Sequence, residues 1–177
     1  DIAVEGVFVV NVTCGQKPAL TITADQNLHP LIAAGVKNGK LSLASTGSYC
    51  TANSFVADIT LPELAAITAD GSSELAVSCS AATNGTLAID LRGTSSMNIS
   101  GAAKNVTLAL EGSTEIDAYR FKAETVRVKA SDAATVRVFV SEKLTGQGSD
   151  ASEIHYQGQP ATVMVETLDA SECLPDN

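Results

Sequence analysis

The chain has 177 residues, 45% hydrophobic and 4% aromatic, with no tryptophan. That suffices for one domain with a sizeable core, leaves two complete domains cramped, and argues against disorder. The net charge is −9, and the eleven Lys and Arg form no basic stripe, which excludes nucleic acid as a partner and disfavours an anionic membrane surface.

No apolar run reaches the roughly 18 residues a membrane-spanning segment needs. The start at Asp1, without an initiator methionine, fits a processed chain from which a targeting segment has been removed. Small polar and β-branched residues with few aromatics suit regular β structure rich in turns, with a core of Ala, Val, Leu and Ile.

In chain order, Cys14 and Cys50 come first among the cysteines, each in a polar, turn-like context ("NVTCGQKP", "TGSYCTAN"). A disulfide between them fits an exported protein. The alternative leaves all four cysteines as free, small, buried residues, which suits Cys79 at an apolar strand position. The one candidate helix is short, around Leu28–Val36, where Pro30 and Gly35 oppose length. The Asn38–Gly39 pair in "VKNGKLSLAS" marks a hairpin turn.

From residue 59 to 168 helical spacing is absent and the chain repeats itself. The apolar residue after each Ser/Thr/Gly cluster is Leu75, Met97, Ile116, Val136, Ile154 and Cys173, in steps of 22, 19, 20, 18 and 19. Each unit holds two alternating runs, such as Val106, Leu108, Leu110 and Val136, Val138, Val140. Period two means strands with one buried face. Two strands per unit of about twenty residues point to a parallel β-solenoid, in which stacked coils close each other's inner faces. Val126 then lies over Val106 over Leu87. A β-sandwich of hairpins is the rival architecture.

The chain divides into N-terminal strands and cap over 1–58, solenoid repeats over 59–168 and a C-terminal tail over 169–177. Together they form one domain.

Several residues resemble a known family. The stretch "VEGVFVVNVTCGQKPALTITADQNLHPLI", the following "VKNGKLSLAS", and Tyr156, Gly158 and Pro160 in a Tyr-x-Gly-x-Pro arrangement resemble the DUF2807 or head GIN domain family, also described as putative auto-transporter adhesins. The resemblance spans nearly the whole chain. It departs at the turns, where family members commonly read Gly-Ser-Gly-Asp and this chain reads "DGSSE", "RGTSS", "EGSTE", "ASDAAT" and "GSDASE". The family implies an all-β, right-handed parallel β-helix. It also implies export to the bacterial envelope, as a periplasmic, outer-membrane-associated or cell-surface domain.

Candidate chemistry is thin. Glu74, Glu115 and Glu153 occupy equivalent repeat positions, interrupted by Ser96 and Thr135, and with Asp150 they form a candidate surface edge. Paired carboxylates can serve a glycosidase or bind calcium; solvated residues flanking turns look the same. "GQGSDA" from Gly146 matches G-x-G-x-x-A, but a β-run follows where a dinucleotide site needs a helix. Ser152, Asp150 and His155 are neighbours in sequence without enforced hydrolase geometry. His29 and His155, far apart in sequence, do not make a zinc site.

Arg120, Arg127, Lys129 and Arg137 resemble a lyase's basic cluster and equally a charged outer face. Thr86, Thr107, Thr125 and Thr162 give one threonine per coil, slightly out of register for ice binding. Four N-x-S/T sequons reflect composition. No catalytic, cofactor or metal residue is assigned.

The expected function is a non-enzymatic surface interaction module whose partner is a cell-surface glycan or protein. The alternatives are a carbohydrate-active β-helix enzyme and a purely structural envelope protein. An outward apolar strip of Val7, Val9, Phe139 and Tyr119 is compatible with a homo-oligomer.

Overall fold

Alternating apolar residues become strands because side chains in extended backbone point to opposite faces at successive positions. In the computed structural model, which describes residues 1–47, 53–81 and 85–176, the first such runs are β1 (Ile2–Gly6), β2 (Val9–Cys14) and β3 (Ala19–Thr23). A 3-10 helix, Gln26–Leu31, leads into β4 (Ile32–Lys37), β5 (Lys40–Ser45), β6 (Val56–Leu61), β7 (Ala66–Gly71), β8 (Glu74–Ser78) and β9 (Thr86–Leu91). Three long bent strands follow, β10 (Ser96–Leu110), β11 (Glu115–Ala130) and β12 (Thr135–Gly148). The chain ends with β13 (Glu153–Gln157), β14 (Thr162–Thr167) and β15 (Glu172–Pro175).

The strands stack as a β-solenoid of about five turns. Two columns face each other across the core. The first runs β3, β6, β2, β8, the leading halves of β10, β11 and β12, then β13 and β15. The second runs β4, β5, β1, β7, β9, the trailing halves of β10, β11 and β12, then β14. Every pairing is parallel except β3–β6 and β4–β5 at one end. The long strands turn the corner between columns at register shifts such as Asn98/Gly101 and Ala118/Lys122.

The repeat read from the sequence is the structural one. Leu75, Met97, Ile116, Val136, Ile154 and Cys173 are consecutive partners, and Val106 pairs with both Leu87 and Val126. From Leu75 to Ile154 that inner row is buried throughout. Burying one such side chain is worth about 1.5–3 kcal/mol, so each added coil closes its neighbour's inner face. The core is less purely aliphatic than expected, because Phe8, Phe55 and Phe121 are also buried and Phe8 packs on Phe55.

Three expectations change. The candidate helix around Leu28–Val36 is a 3-10 turn ending at Leu31, with Ile32 already extended. Pro30 lacks the amide hydrogen a continuing helix needs, and Ile32–Lys37 pairs instead with β5 through the Asn38–Gly39 turn. The N-terminal strands do not all lie outside the coils: β1 runs between β5 and β7, and β2 between β6 and β8. Residues 169–177, read as a tail, contain β15, which pairs with β13.

One corner explains the altered turns. Gly6, Gly71, Gly93, Gly112, Asp132, Asp150 and Asp169 occupy it in successive coils, all at positive φ. A Cβ built on Gly93 would lie 2.4 Å from the carbonyl oxygen of Gly71 beneath it, so glycine is required there. The three aspartates adopt φ of 57–61°, left-handed values that a short polar side chain tolerates. Two residues further on, Ser73, Ser95, Thr114, Ser152 and Ser171 line the inside of the corner.

Candidate functional site

The start of the first column fixes the row that holds the candidate carboxylates. Glu74, Ser96, Glu115, Thr135, Glu153 and Glu172 are successive register partners, and the four glutamates are exposed. Strands sit about 4.8 Å apart, so Glu74 and Glu115, or Glu115 and Glu153, begin about 10 Å apart. Asp150 is not in this row. It sits in the corner turn, accepting from Ser149 Oγ at 3.0 Å.

Two residues along lies a second outward row: Asp58, Asn11, Ala76, Asn98, Asp117, Arg137, His155 and Leu174. The two rows interact. Arg137 pairs with Glu115, and His155 Nε2 lies 3.4 Å from Glu153. His155 Nδ1 lies 3.2 Å from Asp176 Oδ1, while Tyr119 donates its hydroxyl hydrogen to the other oxygen of Asp176. The Tyr119 bond, with a smaller contribution from His155, holds the Asp176 carboxyl below its usual range. Burial and the same bond push the Tyr119 phenol up.

Chemically this network is a fastening. It ties the end of β15 to β13 through His155 and to β11 through Tyr119, by residues that satisfy one another. It does not make a hydrolase triad with Ser152, which is buried with its hydroxyl donating to Ala130 O at 3.3 Å. The histidine instead faces outward with two carboxylates.

Further along the same face the polar surface dips into a shallow groove of about 300 Å³, where Asn11, Thr13, Ser78, Asn98, Ser100 and Arg120 present amides, hydroxyls and one guanidinium. Strand alternation supplies these groups: the intervening Val12, Val77 and Ile99 point into the core. Among the described residues no group of three or more His, Cys, Asp or Glu could hold a metal ion.

The basic cluster divides. Arg127 and Lys129 lie on the second column, beside Thr145 and Gln147, while Arg137 belongs to the first. The threonines share a row only in part: Thr86, Asn105, Thr125, Lys143 and Thr162 are partners, and Thr107 is displaced beside Arg127. Val7, Val9, Tyr119 and Phe139 do not form one strip, because Val9 sits three strands before Tyr119 in the column.

The Cys14–Cys50 pairing is corrected. Cys14 is bonded to Cys79, with Cα atoms 4.9 Å apart, and Cys50 lies outside the described residues. Because β2 lies directly against β8, Thr13 pairs with Ser78, and the next residue of each strand is the cysteine. Two participants were missed in the sequence. Cys79 carried a signal, since "VVNVTC" and "ELAVSC" share one alternation. Asp176 carried none, being a lone carboxylate after the last proline.

The fold recurs in solved structures. A putative adhesin from Bacteroides fragilis NCTC 9343 is 18% identical with a TM-score of 0.70, over 99% of this chain and 91% of that one. A putative lipid binding protein from Parabacteroides distasonis ATCC 8503 is 15% identical with a TM-score of 0.55, over 99% and 92%. A putative adhesin from Parabacteroides merdae ATCC 43184 is 18% identical with a TM-score of 0.52, over 99% and 91%. At these identities the likeness shows the fold alone. No curated protein matches the chain. The family that matches does so over residues 1–160, nearly the whole solenoid, and the chain belongs to it: DUF2807, described as putative auto-transporter adhesin, head GIN domain.

Proposed function

We propose that this protein is a non-enzymatic, exported interaction module that contacts a neutral polar ligand, a cell-surface glycan or protein segment, through the outer face of its first column. The observation that carries this reading is the groove around Asn11 and Asn98. Its polar groups are amides, hydroxyls and one guanidinium, with no carboxylate or histidine. Such groups recognise hydroxyls and amides by hydrogen bonding but supply no acid–base pair. The strands beneath are hydrogen-bonded on both sides, so the groups are presented on a rigid surface. The Cys14–Cys79 bond fits an oxidising compartment, and the adhesin description of the family agrees.

An enzyme on this scaffold has less support. Glu74, Glu115 and Glu153 begin about 10 Å apart in succession, beyond the 6.5–9.5 Å of an inverting pair, and the direct neighbours Glu153 and Glu172 are both solvent-exposed. Glu115 and Glu153 are engaged by Arg137 and His155. Asp176 is shifted downward, opposite to the direction that suits a proton donor at neutral pH.

A glycan array with the purified domain tests the proposal. Reproducible binding to one glycan class, weakened at least tenfold by Asn98→Ala or Arg120→Ala, supports it. Binding indifferent to both variants overturns the assignment of the face, and a blank array favours a purely structural role. Release of shortened glycan by the wild-type domain would move the assignment to the enzyme.

A further inference from the structure

A solenoid leaves two open ends, and here they differ in sign and match in shape. Among the described residues, β3 and β4 at one end are edge strands, each paired on one side only; at the other, β14 and β15 are. Among the described residues, six of the seven exposed large hydrophobic residues lie on these end coils: Leu20 and Val36 at the first, Val163, Met164, Leu168 and Leu174 at the second. Val36 is 74% exposed and Met164 66%. Large apolar side chains gathered at unpaired strand edges mark an association surface.

Charge decides which association is favoured. Residues 15–47, which build the first end, contain Lys17, Lys37 and Lys40 against one aspartate. Residues 158–176, which build the second, contain Glu166, Asp169, Glu172 and Asp176 and no lysine or arginine. Two copies of the acidic end repel, whereas the acidic end and the lysine-bearing end attract.

We propose that copies of this chain stack head to tail, the β14–β15 end of one on the β3–β4 end of the next. Each column then continues by one strand, in a register set by its own ladder. In the second column the row Leu41, Ile2, Ile67, Ile89, Leu108, Val128, Gly146 and Val165 is continuous, and Val36 is the partner of Leu41. Continuing it puts Val165 of one copy opposite Val36 of the next. Glu166 and Lys37 become outward diagonal neighbours, within reach of long side chains. In the first column the same continuation puts Cys173 opposite Ile22.

Because β3 and β4 run against their columns, both new pairings are antiparallel, the geometry that leaves each strand's backbone groups bonded perpendicular to it. The contact is heterologous and does not close on itself, so it builds linear arrays. An end of roughly 20 Å by 20 Å buries about 400 Å² per partner, half the usual value for a stable complex. The association is therefore weak and concentration-dependent. It does not involve the side face assigned to ligand contact and stands or falls independently of it.

Sedimentation velocity over a concentration series at low salt tests the proposal. The wild-type sedimentation coefficient rises with concentration without reaching a dimer plateau, and added salt suppresses the rise. Lys37→Glu and Glu166→Lys, both at exposed positions, each abolish growth alone. Mixed together they grow again as alternating arrays, because each end of one variant meets an end of opposite charge on the other, and Lys37→Glu with Glu166→Lys in one chain likewise restores growth. A circular dichroism spectrum checks that each variant folds; should one not, Val36→Glu takes its place with the same loss of growth. A monomer at all concentrations, a closed dimer, or growth indifferent to charge reversal overturns the proposal.

Discussion

Cutting the Cys14–Cys79 bond with Cys14→Ser is the cleanest single perturbation, because Cys14 is exposed whereas Cys79 is buried. The bond spans 65 residues, and closing a loop of that length lowers the entropy of the unfolded chain by an amount worth roughly 4 kcal/mol. In a chain of this size that corresponds to a fall in Tm of roughly 8–16 °C. Urea unfolding followed by circular dichroism measures it. Under reductant the difference between wild type and Cys14→Ser should shrink to a few tenths of a kcal/mol, since both chains then lack the cross-link.

Peptide mapping identifies the bond itself. Cleavage after Lys, Arg and Glu separates the cysteines into Gly6–Lys37, where Lys17 precedes Pro18, Leu41–Glu63 and Leu75–Arg92. The structure requires the first linked to the third. A first-to-second link, or Cys50→Ser costing as much as Cys14→Ser, would refute the reasoning and with it the placement of β2 against β8.

Gly93→Ala meets a left-handed φ and a contact of 2.4 Å with Gly71 O; the φ penalty and overpacking together predict a loss of about 2–5 kcal/mol in urea unfolding. Asp150→Gly, at a position that already tolerates positive φ, should change stability by less than about 1 kcal/mol. Thr114 Oγ1 is buried with no hydrogen-bond partner among the described residues, so the near-isosteric Thr114→Val should raise stability by about 1–2 kcal/mol. The Tyr119–Asp176 fastening has a pH window. The lowered Asp176 pKa gives a contribution that is present above the ordinary carboxylate range and lost as pH falls through the folded value; the raised Tyr119 pKa gives one present below the ordinary tyrosine range and lost as pH rises through the folded value. Protection of the Glu172, Cys173 and Leu174 amides, measured relative to their intrinsic exchange rates, should therefore fall at both extremes, and Tyr119→Phe should lower it at neutral pH.

What could be read from the sequence was what period two encodes. Leu75 through Cys173 gave the coil length and stacking register because one face of every strand must be buried, which fixes parity and leaves only neighbouring coils to supply cover. Asn38–Gly39 gave the hairpin, since few dipeptides accept two consecutive positive φ values. The passage of β1 and β2 between later strands was not legible, because each coil sees only its neighbours in space and the chain may visit them in any order. The shared alternation of "VVNVTC" and "ELAVSC" holds that information, but "VVNVTC" precedes the repeat of residues 59–168. The equivalence of Glu74, Ser96, Glu115, Thr135 and Glu153 follows from the repeat, but the place of Asp150 in the corner turn and the extension of the row to Glu172 do not. The contacts of Arg137, His155 and Asp176 were not legible either, because ion pairs across rows depend on side-chain reach and on where the last rung ends.

The stacking, and the threading of the N-terminal strands within it, can be measured through amide-to-amide nuclear Overhauser contacts in the unmodified protein. Val10 should show contacts to both Ala57 and Leu75, and Met97 to both Leu75 and Ile116, since each is a partner on both sides. Val10 in contact with one neighbour alone, or strong α-proton to α-proton contacts typical of antiparallel pairs anywhere from β7 to β13, would contradict the solenoid and the rigid polar face built on it.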